Sequence, residues 1–136
     1  MNYCLLERDN LVKIHGRYCG PDWTAGRAVS AEDYLKANPD TTKWPDGIDP
    51  LDNACKLHDI SCARNGQCTR AGDTALIRAA NRRRLTQAQI ARRQVRLLNP
   101  FLSAAERKQI QNRLEESRKA RQIVAGITVS RRFRRM

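Results

Sequence analysis

The chain has 136 residues, 40% hydrophobic and only 5% aromatic, which suits one domain whose core leans on aliphatic side chains, cross-links or a bound ion. Its formal charge of +12 is unevenly placed: through Ala75 there are 9 Lys/Arg against 11 Asp/Glu, a net of −2, and from Leu76 onward 17 against 3, a net of +14. An acidic first half suits a cation site and a basic second half suits anionic lipid or nucleic acid, while the lack of any run of roughly 20 apolar residues excludes a membrane-spanning helix.

The start, MNYCLLERDN, has neither the basic nor the apolar stretch of a secretory signal, yet five cysteines in so short a chain point to an oxidising destination. A secreted mature fragment, a lysis-released protein or a virion component reconciles the two. From Asn2 to Ala28, Gly16, Gly20, Pro21 and Gly26 interrupt any period, so this region reads as loop, and His15 within it reads as a loop histidine. Ser30-Ala-Glu-Asp33 has capping-box spacing and opens a short helix to about Ala37, which Asn38-Pro39 ends; Pro39 to Gly47 reads as loop.

Asp49-Pro50 reads as N-cap and first helical position of a helix running to about Asn65, with Gly66 as its C-terminal cap. Along it Cys55, His58, Asp59 and Cys62 fall at i, i+3, i+4 and i+7, so all four share one face. Gly72-Asp73 opens a second helix that reaches the Arg82-Arg83-Arg84 cluster. Thr86-Gln-Ala-Gln89 restarts a third, whose stripe Ala91, Val95, Leu98 and Leu102 is broken by Asn99-Pro100. Ser103 caps a last helix expected to stop at Gly126, leaving Arg131 to Arg135 as a mobile tail. No strand signal is strong.

The densest chemistry is Asp49-Pro-Leu-Asp52-Asn-Ala-Cys55-Lys-Leu-His58-Asp59, with Tyr18-Cys19-Gly20-Pro21-Asp22-Trp23 some thirty residues before it. These two segments resemble the secretory phospholipase A2 superfamily, whose signature is a Cys-x-x-His-Asp helix and a Tyr-Cys-Gly calcium loop. The resemblance covers about Tyr18 to Ala80; the helix spacing D-x-x-D-x-x-C-x-x-H-D is matched at every fixed position, the loop in part. It implies an all-α fold, disulfide- and calcium-stabilised, with two antiparallel catalytic helices in a domain of residues 1–84. A basic helical extension and tail of residues 85–136 would follow.

It also implies a mechanism. Ca²⁺ would be held by Asp59 and by the loop carbonyls of Tyr18, Gly20 and Asp22, oxygen ligands being those a hard divalent cation takes. His58 would be the general base towards the water that attacks the sn-2 ester of a glycerophospholipid, and Asp73 the carboxylate that orients it. The family's loop-to-helix bridge would here join Cys19 to Cys55; Cys62 and Cys68 offer a second bridge, leaving Cys4 over. Three positions depart from the pattern: Asp22 stands where a second loop glycine is expected, Cys62 where a tyrosine often supports the second Asp, and the loop between Cys62 and Gly72 is short.

Two other readings compete. Most His-Asp pairs on helices are surface pairs, and a phospholipase fold that has lost its activity would serve only for binding. Alternatively Cys55-x2-His58-x3-Cys62-x5-Cys68 supplies four ligands for zinc in a basic module that binds nucleic acid. For the basic half, a phospholipid membrane surface, a nucleic acid and a capsid are the partners that fit. The two phenylalanines there, Phe101 and Phe133, are too few for single-strand stacking. The compact motif and basic tail resemble phospholipase domains that viruses carry to breach membranes.

Overall fold

The structure, a computed structural model, describes residues 13–135, and Cys4 lies outside them. It is all-α and cross-linked by two disulfides, with no strand among the described residues. The elements are α1 (Ala31–Ala37), a 3-10 turn (Thr41–Lys43), α2 (Pro50–Asn65), α3 (Arg70–Arg83), α4 (Gln87–Leu97) and α5 (Ala104–Arg135). The chain divides into two compact units between Ala79 and Ala80.

In the first unit, local chemistry sets each helix end. Ser30 Oγ accepts from Asp33 N at 3.1 Å to start α1, and the Asp49 side chain accepts from Asp52 N at 2.8 Å to start α2. Gly66, at φ +71, ends α2 in the left-handed conformation that an L side chain resists. Helix α3 begins two residues before the expected Gly72. Thr69 is the reason: its hydroxyl accepts from Gly72 N at 3.0 Å and its carbonyl from Asp73 N at 3.0 Å.

Among the described residues of this unit, Tyr18, Trp44, Leu51, Ile60 and Leu76 are the large apolar side chains that are buried, as are both cysteines of the Cys19–Cys55 bridge. Trp44 stacks on Tyr18 with ring centroids 6.3 Å apart, and Tyr34 of α1 meets it edge-on at 4.7 Å. The second bridge, Cys62–Cys68, spans the turn between α2 and α3. A Cβ on Gly72 would lie 3.1 Å from Ser61 Oγ, so α3 folds back over the second half of α2, later residues of one meeting earlier residues of the other.

In the second unit, a capping box of Thr86 and Gln89 starts α4, and Ser103 Oγ accepts from Glu106 N at 3.1 Å to start α5. Leu85, Ile110, Ala120 and Ile123 are buried together with the polar Glu116 and Ser117. Arg83 donates twice to Glu116, at 2.9 and 2.8 Å, Arg113 donates to it at 3.3 Å, and Ser117 Oγ accepts from Leu85 N at 2.8 Å. The interior of this unit is thus organised by polar pairs.

One expectation is corrected here. Helix α5 continues through Gly126 to Arg135, because glycine ends a helix only by turning left-handed; inside one it costs about 1 kcal/mol relative to alanine, too little to stop so long a run. The stripe residues Ala91, Val95 and Leu98 are exposed, and Gln89, Ile90, Arg93 and Leu97 are the half-buried residues of α4.

Candidate functional site

One buried carboxylate ties the loop of residues 14–27 to α2. Asp52 is fully buried in the first turn of the helix; its oxygens accept from the backbone N–H groups of Arg17, Tyr18 and Ile48, each at 2.9 Å. Gly16 makes this approach possible. At φ +61 it holds a left-handed turn, and a Cβ there would stand 2.3 Å from the Asp52 carboxylate carbon. The disulfide from Cys19 to Cys55 fixes the loop to the next turn of α2. At the foot of the helix His15 Nε2 meets Asp49 Oδ2 at 2.7 Å, so His15 is a buried partner of the helix cap and not a bare loop histidine.

The loop conformation is over-determined in other ways. The Tyr18 hydroxyl donates to the Pro45 carbonyl, and burial, reinforced by Tyr34, Asp52 and Asp59 against an opposing Arg17, raises its pKa and keeps it a donor. Trp23 Nε1 donates to the Gly16 carbonyl at 2.9 Å. Gly20 has φ +140. Asp22, where the family pattern has glycine, adopts the positive φ of +50 itself, a conformation that costs an L residue roughly 1 kcal/mol. No hydrogen bond from a described residue reaches the carbonyls of Tyr18, Gly20 or Asp22.

Farther along α2 stand His58 and Asp59. His58 Nε2 lies 2.7 Å from Oδ1 of Asp73, which is buried in the first turn of α3. An ionised carboxylate can only accept, so this contact puts the imidazole proton on Nε2 and leaves a lone pair at Nδ1. Nδ1 meets Cys62 Sγ at 3.8 Å. Helix α2 supplies the imidazole, α3 the acid, and the short loop spanned by Cys62–Cys68 holds the two helices in register.

Asp59 differs from every other carboxylate described. Its Oδ2 is buried with no hydrogen-bond partner among the described residues. Burial, and secondarily the charge of Asp52, pushes its pKa well above the ordinary carboxylate range. A carboxyl in such a place is either protonated and neutral or has its charge balanced by a cation. The loop carbonyls of Tyr18, Gly20 and Asp22, which no described N–H uses, are likewise oxygen donors, the ligand type that a hard divalent cation such as Ca²⁺ takes. The lysine of the same helix offers no substitute: Lys56 turns to the Trp44 carbonyl at 3.3 Å and to Asp46 at 3.7 Å.

The sulfur ligands of the zinc reading are all in bridges. Cys55 is joined to Cys19 and is not part of the cluster formed by His58, Cys62 and Cys68, whose ligand atoms lie within 4.8 Å of one another. The loop-anchoring role of Asp52 and the His15–Asp49 contact escaped sequence reasoning, in which Asp52 stands only as a fixed position of the helix motif. No helix among the described residues is long and apolar enough to cross a membrane. No protein-family model matches this chain, and neither a curated protein nor a solved structure matches it.

Proposed function

We propose that the chain is a calcium-dependent phospholipase A2 that hydrolyses the sn-2 ester of glycerophospholipids. The observation that carries this reading is the pairing, on one stretch of α2, of a His58 that meets Asp73 with an Asp59 whose buried oxygen lacks a donor among the described residues. Asp59 and the carbonyls of Tyr18, Gly20 and Asp22 are the groups that would hold Ca²⁺. When bound, the ion supplies Lewis-acid stabilisation of the charge that develops on the ester carbonyl oxygen. His58 Nδ1 takes the proton of the attacking water, and Asp73 holds the resulting imidazolium through Nε2, the division of labour of a Ser-His-Asp triad with water in place of serine. The tie between Asp52 and the loop keeps the carbonyls in place before substrate arrives, which is where preorganised sites gain their rate.

A lipid surface is favoured over nucleic acid as the partner of the basic half by the exposed side of α4 and of the turn that follows it. Val95, Leu98 and Phe101 are 66%, 79% and 92% exposed, and Ala88 and Ala91 continue the row, with the exposed arginines Arg92 and Arg96 beside it. An amphipathic helix of this composition lies at a bilayer interface, arginines on anionic headgroups and apolar side chains among acyl chains. Phosphate-backbone binding has no use for such a row.

The role of Asp73 is tested by Asp73→Asn. The amide can no longer stabilise the imidazolium, so turnover on vesicles should fall by at least about 10²-fold, as expected for loss of general-base function, with calcium affinity unchanged. Wild-type turnover in Asp73→Asn, with His58→Gln inactive, would leave His58 without an orienting partner and break the dyad.

A further inference from the structure

We infer that His58, Cys62 and Cys68 form a zinc site once the Cys62–Cys68 bridge is opened by a dithiol, and that the ion then occupies the nitrogen the base needs. The three ligand atoms already lie within 4.8 Å of one another, and Cys62 Sγ is 3.8 Å from His58 Nδ1 and 3.7 Å from Nε2. Zinc bonds of about 2.3 Å to thiolate and about 2.0 Å to imidazole place tetrahedral ligands roughly 3.5–4 Å apart, so separation of the two sulfurs and a small adjustment of the ring complete three corners. Spacing favours it too. His58 and Cys62 are one helical turn apart on α2, and Cys68 follows Gly66 in a loop that brings it back over that turn.

The outer layer of such a site is present. Zinc-bound imidazoles donate their second N–H to a carboxylate, which fixes the tautomer and makes the metal-facing nitrogen a better ligand. His58 Nε2 against Asp73 Oδ1, at 2.7 Å, is that arrangement, with Nδ1 as the metal-facing atom. The fourth position falls to water.

Of the two disulfides this is the one a reductant reaches. Cys19–Cys55 joins residues 36 apart with both cysteines buried, while Cys62–Cys68 joins residues 6 apart and is more exposed. A bridge closing the longer loop constrains the unfolded chain more and adds more stability. On reduction the dithiol gives two electrons and two protons to the bridge, leaving Cys62 and Cys68 as thiols and itself as a cyclic disulfide. Zinc then replaces the two thiol protons, which pass to solvent. The consequence for catalysis rests on the function proposed above; the binding of zinc does not.

The test uses the full chain carrying Cys4→Ser, treated with dithiothreitol under native conditions, freed of reductant without air, and titrated with Co²⁺ as a spectroscopic stand-in for zinc. Expected are one equivalent bound per chain, the visible bands of tetrahedral cobalt, near-ultraviolet thiolate bands, and bleaching of both by Zn²⁺. The unreduced protein should give none. Cys62→Ser should abolish the thiolate bands, and Asp73→Asn should weaken binding by about 10–100-fold. The absence of bands, when thiol alkylation shows Cys62 and Cys68 reduced and circular dichroism shows the helices intact, overturns the site; so do bands that survive Cys62→Ser. A chain that binds cobalt in this way but releases no fatty acid in any state would sink the enzyme assignment and leave the zinc site standing.

Discussion

Replacing Asp59 by asparagine should make the calcium-free protein more stable and calcium-blind at once. Asp59 Oδ2 is buried without a donor among the described residues, an arrangement that costs about 1–3 kcal/mol for a neutral acceptor and more for a charged one. Because burial raises the carboxyl pKa in the folded state above its value of about 3.9 in the unfolded chain, the folded protein holds a proton that the unfolded chain has released. Stability of the calcium-free wild type therefore falls as pH rises from about 4 towards the folded pKa, and is lowest above it. The asparagine side chain never ionises, so the Asp59→Asn variant should lack this decline. At neutral pH in EGTA its melting temperature should exceed that of the wild type, at roughly 3–5 °C for each kcal/mol recovered in a chain of this size. Calcium at about a hundred times its dissociation constant should stabilise the wild type by ~2.7 kcal/mol and the variant by nothing. The assay is thermal unfolding at several pH values, with calcium and with EGTA. A variant less stable than the wild type in EGTA at neutral pH, or one still stabilised by calcium, would refute the assignment of Asp59 as a buried carboxylate awaiting a cation.

Three further expectations probe the scaffold and the surface. Gly16→Ala places a methyl 2.3 Å from the Asp52 carboxylate and keeps a positive φ, so it should cost at least about 2 kcal/mol in urea unfolding and weaken calcium binding through the loop; a neutral effect would show that the loop does not depend on Asp52. Glu116→Ala removes the shared acceptor of Arg83 and Arg113, both partly exposed, and should cost about 1–3 kcal/mol in the second unit while protection of the α2 amides from hydrogen exchange is unchanged. Leu98→Ser combined with Phe101→Ser should reduce sedimentation with phosphatidylserine vesicles by at least about tenfold, the loss of two buried apolar side chains, without altering helicity; undiminished sedimentation would move the membrane contact elsewhere.

What the sequence made legible follows the range of the interactions involved. Helix α2 could be placed residue by residue because Asp49, Pro50 and Gly66 each act within a turn of their own position. The two disulfide pairs were legible only through the resemblance of Cys19 and Cys55 to a known loop and helix, since spacing alone leaves several pairings open. The anchoring of the loop by Asp52, the His15–Asp49 contact and the Arg83–Glu116 pair join residues 33 to 35 apart, and no local period records such partners. Thr69 was overlooked as a cap because Gly72-Asp73 is the louder signal. Helical spacing identified Ala91, Val95 and Leu98 as one row but could not say whether the row faces a core or solvent, which depends on the partner helix.

The most direct test of the central claim is release of sn-2 fatty acid from mixed vesicles by the purified chain, measured in calcium, in EGTA, and with His58→Gln. Release that requires calcium and disappears in His58→Gln, with sn-1 chains left in place, is the result the geometry of His58, Asp59 and Asp73 predicts. A folded protein that releases no fatty acid in calcium, or that releases it equally with His58→Gln, would contradict the account.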